Sequence, residues 1–136
     1  GPITLVGWSL GGVVARLVAA ALPERIEQII TLGTPIEGGP KYTATAELFA
    51  KRNGIDLDAF EQHVHRRNSQ RLRPPITAIF SKTDGVVGWK AMIDRYNPQT
   101  RHRQIPGSHV GLGMNPIALR EVAQALAKNA RASSRS

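Results

Sequence analysis

Residues 3–16 read Ile3-Thr4-Leu5-Val6-Gly7-Trp8-Ser9-Leu10-Gly11-Gly12-Val13-Val14-Ala15-Arg16. The first four form a short uncharged run, the pattern of a strand buried on both faces. From Leu10 the period changes. Leu10, Val13, Val14, Leu17, Val18 and Ala21 fall at helical spacing and predict one apolar stripe, which Pro23 ends. Residues 26–32 read as a second buried strand, closed by Gly33-Thr34-Pro35. Strand, helix, strand in this order is a βαβ unit, which implies parallel pairing and a right-handed crossover.

Further along, residues 36–75 interrupt the alternation. Gly38-Gly39-Pro40 reads as a loop, and residues 42–52 and 56–72 as two amphipathic helices, the second with Leu57, Phe60 and Val64 on one face. Such an excursion between parallel strands is expected to be a helical cap-like insertion over a pocket, the alternative being a crossover with an extra helix. Alternation then resumes with a strand over residues 76–81, the turn Lys82-Thr83-Asp84-Gly85, a helix over 86–96 and a fourth strand over 103–105. Pro106-Gly107-Ser108-His109 follows. Asn115-Pro116 is a helix start, Asn at the N-cap and Pro at the first helical position. Its expected buried side is Leu119, Val122, Ala123 and Leu126, and its tail over 131–136 is expected to fray. The fold class is therefore α/β, a mostly parallel sheet of about four strands with flanking helices. Residues 1–136 make one domain.

The composition supports a packed core and excludes several alternatives. Apolar residues make up 41% and charged residues 21%, too balanced for wholesale disorder. No apolar run is long enough for a membrane-spanning helix. With no cysteine, thiolate chemistry, disulfides and Cys-based metal sites are excluded. Neither a cofactor nor a metal is expected. The formal charge is +8, but it is uneven: residues 1–40 carry −1, 41–73 carry +3 and 101–136 carry +5. Aromatics are only 5%, and Arg66-Arg67 lies in a polar helical stretch. A solvated face explains this better than nucleic-acid binding.

The chemistry concentrates at the strand ends. Gly7-Trp8-Ser9-Leu10-Gly11 matches G-x-S-x-G between an apolar strand and an apolar helix. Glycines two before and two after the serine are expected to relieve crowding in a turn that strains Ser9 and exposes its hydroxyl. The Leu10 N–H, at the helix start, is placed to bind a developing oxyanion. A neutral serine needs a base, and the base an orienting acid. Asp84 follows the third strand and His109 the fourth, so serine, acid and histidine would meet at the carboxyl edge of the sheet. The alternatives are an ordinary helix cap for Ser9, a turn residue for Asp84 and a structural donor for His109. His63 and His65 sit in the helical insertion as solvated residues, and His102 lies between two arginines.

With Gly7-Trp8-Ser9-Leu10-Gly11-Gly12, Ser81-Lys82-Thr83-Asp84-Gly85-Val86-Val87 and Gly107-Ser108-His109-Val110-Gly111-Leu112 in view, the chain resembles the α/β-hydrolase superfamily, in particular bacterial esterase/lipase-like proteins. The resemblance implies Ser9 as nucleophile, Asp84 as acid and His109 as base. Thr31-Leu32-Gly33-Thr34-Pro35 is similar to a pocket-bordering loop, so the expected substrate pocket comprises Trp8, Thr34, Pro35, Trp89 and Val110. Such proteins have further strands before the nucleophile strand, and one preceding loop gives the second oxyanion N–H. The chain is thus expected to correspond to the C-terminal half of the fold. An apolar first strand left unpaired is an aggregation hazard. Strand-edge pairing with an N-terminal half or another chain is therefore expected.

The implied activity is hydrolysis of a small-molecule ester or lipid through an acyl-enzyme. Rivals are an acyltransferase, thioesterase or amidase on the same three residues, and a non-catalytic fragment or binding module of the same fold.

Overall fold

The computed structural model describes residues 1–37 and 51–134. The expected loop at 38–40 and most of the expected helix over 42–52 lie outside the described residues. Four strands, β1 (Ile3–Trp8), β2 (Ile26–Leu32), β3 (Ile76–Phe80) and β4 (Arg101–Gln104), form one sheet in sequential order. All three pairings are parallel, with Val6 opposite Ile30, Leu32 opposite Ile79 and Phe80 opposite Gln104. Helices with both ends among the described residues are α1 (Leu10–Ala21), α2 (Leu57–Asn68), α3 (His109–Leu112) and α4 (Pro116–Ser133), with a 3₁₀ turn over Trp89–Met92; residues 51–53 are helical as well.

The central strands β2 and β3 are buried on both faces, and most of their residues are apolar, with Gln28, Thr31 and Thr77 as buried polar exceptions. On one face Ile30, Leu32 and Ile79 pack with Leu112, Ala118 and Ala125 under α4. On the other, Ile29 and Ile76 pack with Ala15, Ala19 and Leu72 under α1.

Strand β1 runs on through Gly7 and Trp8, beyond its expected end at Val6. It lies at the sheet edge, and Ile3 and Val6, expected to be buried on both faces, are exposed there, as an apolar first strand with one described neighbour must leave them.

The helical faces are rotated from the predicted stripes. In α1 the buried residues are Gly12, Val13, Ala15, Arg16 and Ala19, whereas Leu10, Val14 and Ala21 are exposed. In α4 Ala118 and Ala125 are buried with Val122 beside them, while Leu119, Ala123 and Leu126 face outward. Alanine and glycine let each helix approach the sheet closely, and that steric fit outweighs the larger residues' hydrophobicity.

The expected helix over 86–96 is absent. Asp84 Oδ1 binds the N–H groups of Val86 and Val87, and Asp94 Oδ1 those of Tyr96 and Asn97. These side-chain turns compete with helix, so only the 3₁₀ turn survives. Strand β4 begins two residues earlier than predicted and ends at Gln104. Helix α2 starts at Leu57, capped by Asp56, and ends at Asn68, with Leu72 in the core beyond it. Its Phe60 and Val64 side chains lie outside the described part. Helix α4 begins as expected, Asn115 capping it, but stays helical through Ser133 where fraying was predicted from 131. None of the described helices is long and apolar enough to cross a membrane.

Candidate active site

The β1–α1 junction follows from steric demands that can be assigned residue by residue. A Cβ on Gly7 would lie 2.5 Å from the backbone of Gly11 and Gly12, so strand and helix can close this tightly only over glycine. Gly11, expected to serve the same purpose, faces open space. Gly12 is the constrained one: a Cβ there would sit 1.9 Å from Thr34 Oγ1. Between them Ser9 adopts φ 52°, ψ −122°, and among the described residues it alone has positive φ without being glycine. Such a conformation costs on the order of 1–3 kcal/mol and persists only where the surroundings enforce it. Here the Ser9 N–H is bonded to the Leu32 carbonyl (2.8 Å), and the Thr34 hydroxyl donates to the Ser9 carbonyl (2.9 Å).

The structure brings Ser9, Asp84 and His109 together. Ser9 Oγ lies 2.8 Å from His109 Nε2, and His109 Nδ1 lies 2.8 Å from Asp84 Oδ2. The other Asp84 oxygen accepts the Val86 and Val87 N–H groups at 3.0 and 2.7 Å. Asp84 and His109 are buried, while Ser9 remains partly accessible. The Ser108 hydroxyl caps the one-turn helix α3, and the His109 N–H donates to the Asp84 carbonyl at 2.8 Å. The Leu10 N–H opens α1, where the first amides of a helix have no intrahelical acceptor. A hydroxyl relayed through imidazole to a held carboxylate can pass its proton as it attacks an electrophile.

The five expected pocket residues do not form one group. Thr34 and Pro35 are buried, Thr34 against Ser9 and Gly12. Trp8 donates its indole N–H to the His109 carbonyl at 3.0 Å. Val110, beside His109, is largely exposed. Trp89 stacks on Phe80 in a separate core cluster, with the Lys82 ammonium over its ring.

Two features escaped the sequence reading. Gly33, at φ 57°, forms the floor beneath the Asp84–His109 pair: a Cβ there would lie 3.2 Å from Asp84 Oδ2 and 3.3 Å from His109 Nδ1. Its place between β2 and Thr34 was visible, its partners were not. The second is a buried polar knot behind α1. Arg16 Nη1 meets Asp94 Oδ2 at 2.6 Å, and its guanidinium donates to the side chain and carbonyl of Asn68. His102 joins it by accepting the Asp94 N–H at Nε2 (2.9 Å), and burial lowers the His102 pKa below the ordinary histidine value, partly countered by Asp94. His63 and His65 are exposed. Among the described residues no group of three or more His, Asp or Glu side chains is placed to hold a metal ion.

Sheet order, flanking helices and the position of this constellation define an α/β hydrolase fold. The chain is similar to MGS-MChE2, an α/β hydrolase enzyme from a lagoon-sediment metagenome, with TM-score 0.69 and 19% identity, over 96% of this chain and 63% of that one. It is similar to α/β hydrolase domain-containing protein 10 from mouse, with TM-score 0.67 and 18% identity, over 94% and 61%. Human thioesterase 2 aligns with TM-score 0.59 and 18% identity, over 99% and 76%. The chain thus spans less than two thirds of the mouse and metagenome proteins. Within this fold it belongs to the PGAP1-like alpha/beta domain family, which it matches over residues 2–88. The curated proteins contain no match.

Proposed function

We propose that this chain carries the nucleophile, acid and base of a serine hydrolase acting on carboxylic esters, esterase- or lipase-like, through an acyl-enzyme. The observation supporting this reading is the unbroken relay from Ser9 Oγ through His109 to Asp84, at 2.8 Å for each link, beginning at a strained serine between strand and helix. In the proposed mechanism Ser9 attacks the ester carbonyl as His109 takes its proton, and Asp84 holds the imidazole and stabilises its charged form. The Leu10 N–H donates to the oxyanion. His109 then protonates the leaving alcohol, and water, deprotonated by the same imidazole, releases the acid.

The second oxyanion donor is proposed to come from a segment pairing along the exposed edge of β1, as in proteins that precede this strand with others. Losing one such donor costs roughly 10²–10³ in turnover. An isolated half with the relay intact should therefore be nearly inactive, slow in acylation as well as in deacylation, because both steps pass through an oxyanion.

Short and long p-nitrophenyl esters assayed beside matched thioesters and amides test the reading, with Ser9→Ala as control. Ester hydrolysis that vanishes in Ser9→Ala supports it. A Ser9-dependent preference for thioesters would reassign the substrate to the class named in thioesterase 2, and no Ser9-dependent reaction with any of them would leave the fold without this chemistry.

A further inference from the structure

All four hydrogen-bonding groups of His109 end on Ser9, on Asp84 or on the residue before Ser9. Its N–H goes to the Asp84 carbonyl, Nδ1 to Asp84 Oδ2 and Nε2 to Ser9 Oγ. Its carbonyl takes the Trp8 indole N–H at 3.0 Å. Helix α3 is a single turn, too short to hold itself, and the Gly113 N–H closes onto Gly111. The indole also lies across the end of that turn, where a Cβ on Gly113 would be 3.4 Å from Trp8 Cδ2.

From these contacts we infer that Trp8 is a positioning residue for the base: it ties the backbone that carries His109 to the strand that carries Ser9. The inference rests on the hydrolase reading proposed above for its consequence in turnover, but not for the coupling itself. Trp8 is one bond away from the nucleophile, so displacing the His109 loop must break its hydrogen bond or move Ser9 as well. The ring centroids of Trp8 and His109 are 6.0 Å apart and tilted by 35°. That is the outer limit for attraction between imidazolium and an aromatic face, so positioning outweighs any direct charge stabilisation.

Two replacements at Trp8 separate the hydrogen bond from the ring's bulk. Trp8→Phe removes the N–H and part of the ring, and benzothienylalanine replaces only the N–H by sulfur. Both should lower kcat for a p-nitrophenyl ester about 3- to 12-fold, the worth of one neutral hydrogen bond, with KM unchanged. A merely structural role would instead lower the melting temperature and leave kcat of the folded fraction alone.

A second readout needs no turnover. Trp8 and Trp89 are the chain's two tryptophans, so in Trp89→Phe the emission comes from Trp8. Indole emission follows its surroundings, and His109→Gln, which unfastens the His109 loop from Asp84 and Ser9, should shift the emission of Trp8. A chain unreactive at Ser9 but showing this shift would refute the hydrolase reading and uphold the coupling. Unchanged kcat in the benzothienylalanine protein, or emission indifferent to His109, would overturn the coupling and leave the hydrolase reading standing.

Discussion

Replacing Arg16 by methionine should be the most damaging single change outside the relay, because it strands a buried carboxylate. Arg16 and Asp94 are 1% and 3% exposed, and their 2.6 Å ion pair has no solvent to replace it. Methionine would fill most of the volume of the arginine stem but offer Asp94 no donor. Breaking a buried pair from one side costs about 3–5 kcal/mol. Asp94 retains the N–H groups of Tyr96 and Asn97 and the Asn97 amide, so the lower end, about 3 kcal/mol, is expected. Against a total stability of about 5–15 kcal/mol this is a large share. With a slope of about 1–3 kcal/mol/M, the urea midpoint should fall by roughly 1–3 M while the slope stays constant. Circular dichroism at fixed pH would measure it. Pairing Arg16→Met with Asp94→Asn should recover part of the loss, since the stranded charge is removed. A single variant that costs under about 1 kcal/mol, or a double variant no better than the single, would refute the argument that an uncompensated charge sets the cost.

Other consequences are as specific. Gly12→Ala should destabilise by about 1–3 kcal/mol and slow labelling of Ser9, because its Cβ meets Thr34 at 1.9 Å, whereas exposed Gly11→Ala should stabilise by about 0.5–1 kcal/mol through helix propensity; paired urea melts compare them. Asp84→Asn should cut ester turnover by roughly 10⁴ with little change in KM, because the imidazole loses the carboxylate that fixes its tautomer; steady-state kinetics decides. For His102, burial disfavours the charged form, so the unfolded chain takes up this proton at higher pH than the folded one. Its contribution is full above the ordinary histidine value of about 6.5 and is lost as pH falls below that through the lowered folded value. Melting temperatures at pH 7.5 and 5.5 should therefore differ less in His102→Gln than in the parent chain.

The central strands were legible because burial on both faces favours apolar residues at consecutive positions, as in Ile29-Ile30 and Ile79-Phe80. The relay side chains were legible because each lies just past a strand end, where a parallel sheet must gather them. What pairwise packing decides was not legible. Arg16 occupies a buried helical position, and only the distant Asn68 and Asp94 make that affordable. The rotation of α4 depends on Ala118 and Ala125 fitting against Ile79 and Ile105, not on the larger Leu119 and Leu126. Likewise, the constraint on Gly12 comes from Thr34, twenty-two residues away. Nothing local distinguishes it from unconstrained Gly11.

The most direct test is to react the chain with a fluorophosphonate and locate the adduct by peptide mass spectrometry. The expected result is one adduct on Ser9, absent from Ser9→Ala and formed far more slowly in His109→Gln. Failure of Ser9 to react, or labelling of Ser9→Ala at the parent rate, would contradict the assignment of Ser9 as a nucleophile activated by His109.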